Sequence, residues 1–241
     1  MCGRFTLSTP AERLAELFGL DEVPSLAPRY NIAPSQGAPA VRLTAEGKRH
    51  LELLHWGLVP SWAKELSVGY RMINARAETA AEKPAFRKAM RERRCLVLAD
   101  GFYEWQKRGR GRKQPWYIAL KDRRPFAFAG LWERWHPPAA EGAEGAGPVL
   151  QSCTLLTTQP NDLVAALHDR MPVILQPGDY DAWLDPAERD PEKLKPLLRA
   201  FPAEEMIAFE VSSRVSSPVN DDPECCAPLP TVESLLPLLD R

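Results

Sequence analysis

A chain of 241 residues, 44% hydrophobic and 26% charged, is long enough to bury a core and ordinary in composition for a globular protein. No apolar run approaches the ~20 residues of a membrane span, and the opening Met-Cys-Gly-Arg-Phe-Thr lacks the basic-then-apolar order of a secretory signal, so a cytoplasmic protein is expected. The net charge of −1 conceals an asymmetry that suggests an anion-binding face: residues 1–135 hold 24 Lys and Arg against 14 Asp and Glu, and residues 136–241 hold 7 against 18.

In chain order, residues 11–19 predict a helix with Leu14, Leu17 and Phe18 on one face, Thr9 as N-cap and Gly19 as stop. The stretch 23–39, carrying Pro24, Pro28, Pro34 and Pro39, reads as an extended loop. Strands are expected at 40–44 and 50–56, joined by a turn near Glu46-Gly47. Residues 84–94 predict a helix with Phe86 and Met90 inward and a basic outer face, followed by a buried strand at 95–99. A basic hairpin turn spans Lys107 to Lys113, and strands follow at 115–120, 125–132 and 149–158, interrupted by a low-complexity excursion at 137–148. Asn161-Asp162 caps a helix running to about His168, with a short strand at 173–175, a short helix at 179–184 and a last strand near 207–211. The pattern implies one α+β domain over residues 1–241, built on a largely antiparallel, barrel-like mixed sheet flanked by helices.

Five cysteines form no Cys-x-x-Cys and four histidines are scattered, so neither a metal nor another cofactor is expected. Cys2 differs from the rest. Methionine aminopeptidases remove Met1 ahead of a small second residue, which would leave an N-terminal 1,2-aminothiol. The amine condenses with an aldehyde to an imine, and the neighbouring thiol then closes a five-membered thiazolidine in a favoured intramolecular step. Taken alone, a second-position cysteine is more often incidental, because chain ends tolerate change.

Six strings then occur in order: MCGRF at 1–5, RYNIAPSQ at 29–36, HWGLVPSW at 55–62, NARAET at 74–79, DGFYEW at 100–105 and HDRMPVIL at 168–175. In these the chain resembles the SRAP (SOS response-associated peptidase) family of abasic site processing proteins. The resemblance implies a protein that shields abasic sites in single-stranded or junction DNA through a covalent thiazolidine on its N-terminal cysteine. A peptidase-like self-processing is attributed to some members. Carried over by position, Cys2 is the crosslinking nucleophile, Asn74 the active-site amide, Glu104 an acid/base carboxylate of raised pKa and His168 an imidazole that helps open the sugar or reverse the link. The bland readings are a turn asparagine, a solvated strand-end carboxylate and a helix-terminal histidine. Arg4, Arg29, Arg76 and Arg170 suit phosphates, while Asn31, Pro34 and Trp62 suit splayed bases and sugars. Ala63 follows Trp62 where some members carry a second aromatic.

A monomer is expected. Two other classes stand beside this reading. One is an N-terminal-nucleophile thiol peptidase or amidohydrolase using Cys2 with His168, whose glutamine amidotransferase form is disfavoured because the chain contains no Asn-Gly. The other is a non-catalytic single-strand-binding module, which would bind in a salt-sensitive way and form no adduct.

Overall fold

The computed structural model describes residues 2–109, 111–138 and 147–230. The chain opens directly into a strand, β1 (Phe5–Leu7), and then a helix, α1 (Ala11–Phe18). Gly19 ends α1 in the left-handed region at φ 60°, with its N–H on Ala15 O, as the sequence predicts. Thr9 does not cap the helix: its hydroxyl donates to Asp100 Oδ1 at 2.6 Å, tying the chain to a residue 91 positions away. Leu14 and Phe18 are buried, whereas Leu17 is exposed.

The proline-rich stretch is not all loop. It holds β2 (Arg29–Ile32) and the start of β3 (Gly37–Leu43). Pro39 is tolerated inside β3 because the neighbouring ladder covers only Ala40 and Val41, so its missing N–H breaks no pairing there. Next come β4 (Arg49–Trp56), β5 (Asn74–Arg76), α2 (Ala77–Ala80), α3 (Arg87–Glu92) and β6 (Arg94–Ala99). The predicted helix at 84–94 is thus a short one that yields to a longer buried strand. Two long hairpin arms, β7 (Gly101–Arg108) and β8 (Arg112–Leu120), are followed by β9 (Phe126–Trp135) and β10 (Leu150–Thr158). The remainder is α4 (Asp162–Ala165), β11 (Met171–Pro172), β12 (Ile174–Leu175), α5 (Tyr180–Leu184), α6 (Pro191–Leu194) and β13 (Met206–Glu210).

β10, β4, β3, β6 and β9 pair in that order, and a further β9–β10 ladder closes them into a five-stranded barrel. All its ladders are antiparallel except β10 with β4; β5 also joins β10 in parallel. The fold is therefore the expected α+β arrangement with a largely antiparallel barrel. β9 and β10 flank the predicted excursion at 137–148, of which residues 139–146 lie outside the described residues.

A second sheet runs β13-β8-β7-β1-β2. Its packing on the barrel is aromatic: Phe5 meets Trp56 and Phe128 edge-on at 5.0 and 5.9 Å, and Phe102 meets Phe128 at 6.0 Å. Each such ring, fully buried, contributes roughly 1.5–3 kcal/mol of transfer free energy. The consequence for the amino end is direct. β1 lies between β7 and β2, so the first residues are held inside a sheet rather than fraying from its edge. Among the described residues no helix is long and apolar enough to cross a membrane.

Candidate active site

Three segments meet at the second residue. Phe5 pairs with Phe102, and the Tyr103 N–H donates to Arg4 O at 3.0 Å, which carries the β1–β7 register one step toward the amino end. Continued one step further, that register sets Gly3 opposite Glu104, and Cys2, the residue before it, lies within reach of the Glu104 charge. From the barrel side, β5 aligns Asn74 with Leu155 of β10, and the Asn74 side-chain amide donates to Cys2 O at 2.8 Å. The other amide atom, Asn74 Oδ1, is buried with no hydrogen-bond partner among the described residues, so an acceptor stands open beside the cysteine.

Cys2 is 0% exposed and Glu104 2%. Burial pushes the Cys2 thiol well above the usual thiol range, and the Glu104 charge adds to the effect. The sulfur faces Arg4 O at 3.7 Å, a weak S–H contact. Burial also raises the Glu104 carboxyl, to about 7, against the opposing positive charge of the chain's amino terminus. A carboxyl poised there exchanges a proton readily near neutrality. The solvated strand-end reading of Glu104 does not fit its burial.

His168 closes the turn after α4, whose first residue is capped by the Asn161 side chain accepting from Val164 N at 2.9 Å. Its own N–H returns to Val164 O at 2.8 Å. Nδ1 accepts from the Arg170 N–H at 3.1 Å and lies 2.7 Å from Asp169 Oδ1, so a neutral ring takes the first contact and a protonated ring donates to the second. Burial, then the amino-terminal charge, lower its pKa, favouring the neutral form. His168 lines an open cavity of about 710 Å³ shared with Arg76, Trp105, Gln106, Lys107 and Arg170. Trp105, the residue directly after Glu104 in β7, lines this cavity, so the cavity runs along the strand that carries the buried carboxyl.

The residues expected to meet DNA divide sharply. Trp62 is 61% exposed. It stands on a loop fixed at its base, where Gly57, at φ 133°, and Gly69 approach so closely that a Cβ on either would strike the other's backbone at 2.8 or 2.6 Å. Ala63 turns inward, its carbonyl accepting from Trp135 Nε1 at 2.7 Å, so the loop presents a single indole at this point. Arg76 is exposed, and its side chain makes no hydrogen bond or ion pair among the described residues. Arg4 is half-buried with Nη1 on Gly3 O at 3.0 Å, and Pro34 is half-buried.

The other three are committed within the fold. Arg29 pairs with Asp221 and donates to Gln36 Oε1 at 2.7 Å. Arg170 forks onto both Glu78 oxygens at 2.8 Å. Asn31 is wholly buried, its amide donating to the carbonyls of Val215, Ser217 and Asn220 at 3.1, 2.9 and 2.7 Å. It pins the segment after β13 and leaves no polar atom at the surface, in place of the expected base contact. Sequence reasoning missed Glu78 and Asp221, which hold these arginines, and the β7 wall of the cavity. The alternation of Glu104 inward with Trp105 and Lys107 was the available signal for that wall. No cluster of three or more candidate metal ligands occurs among the described residues.

The site therefore joins a barrel to a buried second-position cysteine, a side-chain amide and a buried carboxyl of raised pKa. The chain belongs to the family described as SOS response associated peptidase (SRAP), which matches residues 1–218. It is 45% identical over 227 residues to "Abasic site processing protein YoqW" of Bacillus subtilis (strain 168), covering 93% of this chain and 98% of the relative. It is 33% identical to "Abasic site processing protein HMCES" of Gallus gallus, over 95% of this chain and 78% of that one. Among solved structures, a protein from Bacteroides thetaiotaomicron superposes with a TM-score of 0.81 at 26% identity, covering 95% of this chain and all (100%) of the other.

Proposed function

We propose that this chain is an abasic-site processing protein. Once Met1 is removed, Cys2 captures the ring-opened sugar aldehyde of an abasic site in single-stranded or junction DNA as a thiazolidine, with the protein acting as a monomer. The observation that carries the reading is the closure of Asn74 and Glu104 around Cys2, with the Asn74 amide on the Cys2 carbonyl and a buried carboxyl near pKa 7 alongside.

The chemistry follows from those groups. The Cys2 amine adds to the aldehyde carbon to form a carbinolamine, and Glu104, in its acid form, protonates the leaving hydroxyl so that water departs and an iminium remains. The Cys2 thiol then adds to that carbon while Glu104, now a carboxylate, takes the thiol proton. The nitrogen ends as a neutral ring amine, and the net change is loss of one water. A thiol held neutral by burial needs such a base at the closure step, not before it. Asn74 fixes the main chain at the reacting residue and offers Oδ1 to the new amine. His168, in the lining of the cavity and biased neutral, takes the proton of the sugar's anomeric hydroxyl and returns it to the ring oxygen as the C1′–O4′ bond breaks, so the aldehyde and the 4′-hydroxyl form with no net proton change. The product keeps no free aldehyde to drive β-elimination of the neighbouring phosphate. A thiol-peptidase mechanism is less well supported, because its nucleophile needs a lowered thiol pKa and burial here does the opposite.

The test is incubation of the chain, with Met1 loss verified by intact mass, with an oligonucleotide containing one abasic site. A heat-stable adduct of protein and DNA is expected, absent in Cys2→Ala. An adduct undiminished by that substitution, or none from the processed chain, overturns the proposal.

A further inference from the structure

Beside the buried pair, the open cavity under β7 carries charge that the reaction itself does not use. Its walls come from two elements: Trp105, Gln106 and Lys107 on the outgoing arm of the β7–β8 hairpin, and residues 166–170 after α4, with Arg76 at the mouth. Gln106 spans the gap, donating from Nε2 to Ala166 O at 3.3 Å, so the two walls are tied together. Three cations line this space. Arg170 is neutralised by its fork on Glu78. Arg76 and Lys107 are exposed, and neither has an ion-pair partner among the described residues. The single acid, Asp169, is turned onto His168.

From this arrangement we infer that Lys107 and Arg76 form a subsite for one backbone phosphodiester adjoining the reacting sugar, which extends the DNA path from Cys2 along β7. The inference rests on the DNA reading above for the identity of the phosphate. It goes beyond that reading in assigning Lys107 and the β7 wall. A cavity of about 710 Å³ leaves room for a nucleotide unit, and two exposed cations in its lining, neither in an ion pair among the described residues, suit a phosphate's charge. The Lys107 charge also reaches His168, so the same lysine stands within electrostatic range of the reacting end of the cavity. The next residue, Arg108, is a natural control. It lies one step along the same strand but is paired with Glu210, outside the cavity.

The experiment measures binding of the full chain to a single-stranded oligonucleotide carrying a tetrahydrofuran abasic analogue, which has no aldehyde, across a series of sodium chloride concentrations. One phosphate contact on a single strand contributes about 0.7 to the slope of log affinity against log salt. Lys107→Gln combined with Arg76→Gln is expected to reduce the slope by about 0.7, more than Arg76→Gln alone, with Lys107→Arg retaining the parent slope and Arg108→Gln leaving it unchanged. An unchanged slope in the double variant overturns the subsite, a double variant no different from Arg76→Gln removes Lys107 from it, and an equal loss in Arg108→Gln would make the effect one of general charge. Because the analogue cannot form an adduct, the result is independent of Cys2 chemistry. A chain that shows the slope change but gives no adduct with a true abasic site keeps the subsite and refutes the thiazolidine proposal.

Discussion

The two walls of the active region solve opposite problems. On one side Cys2 and Glu104 are sealed between the amino-terminal sheet and the barrel, with half-buried Asn74 beside them, and desolvation raises both the thiol and the carboxyl. On the other side Arg76 and Lys107 stand in solvent around an open cavity. Proton transfer at neutral pH demands the first environment, because only burial brings a carboxyl into range. Holding a phosphate demands the second, because a buried cation would already need a partner in the protein. Arg170 shows this by default: it lines the same cavity but, once buried, is matched to Glu78.

Four substitutions sharpen or break that contrast. The largest effect is expected from Glu104→Gln, which should slow adduct formation by ~100-fold. It should also change stability in a pH-dependent way. A carboxyl raised to about 7 binds its proton more tightly folded than unfolded, so it costs stability as pH rises from about 4.5 to 7 and throughout the range above. Chemical denaturation should therefore find the variant more stable than the parent at pH 8, by up to about 3 kcal/mol, and nearly equal at pH 4. A variant less stable at pH 8 would place Glu104 in a satisfied structural network instead. Asn31→Ala comes next. Removing a buried amide from three carbonyls should cost about 2–3 kcal/mol, read as a lower denaturation midpoint, while the salt dependence of DNA binding stays at the parent value. A lowered salt slope would return Asn31 to the DNA-contacting side of the comparison. Asn74→Ala should slow the adduct by about tenfold through loss of one positioning hydrogen bond, with little change in affinity for the tetrahydrofuran analogue. Trp62→Ala should be smallest in stability, within about 0.5 kcal/mol, since the indole is mostly in solvent; a larger loss of melting temperature would mean that the ring packs on the loop that bears it.

How far the sequence reached depends on the range of the forces involved. The barrel strands were legible because short apolar runs bounded by polar residues are local signals, as in Cys95–Ala99 of β6 and in β9. β2 was not: Arg29–Ile32 lies among prolines, and its strand character comes from pairing with β1 and from a clamp by Asp221, far along the chain. The motifs that group Cys2, Asn74 and Glu104 could be read from the chain, but the burial of Cys2 could not, because an amino-terminal stretch resembles a fraying end until its neighbours in the sheet are known. The charge asymmetry promised more than it delivered. Several of the arginines behind it are internal fasteners, most plainly Arg94, which donates to the carbonyls of Met90, Arg91, Trp183, Asp185 and Glu188. Net charge counts such residues as surface when they are structural.

The place of β1 in the middle of its sheet also sets a timetable. During synthesis the first strand leaves the ribosome well ahead of both neighbours, and the later one, β7, ends at Arg108. At elongation rates of about 5–20 residues per second, the amino end waits on the order of 5–20 s before it can be enclosed. Trimming of the nascent chain by an aminopeptidase falls within that interval, while the same terminus in the finished protein is flanked on both sides. A fusion tag that blocks early trimming should therefore leave a folded but unreactive protein, since the step comes too late once the sheet has formed.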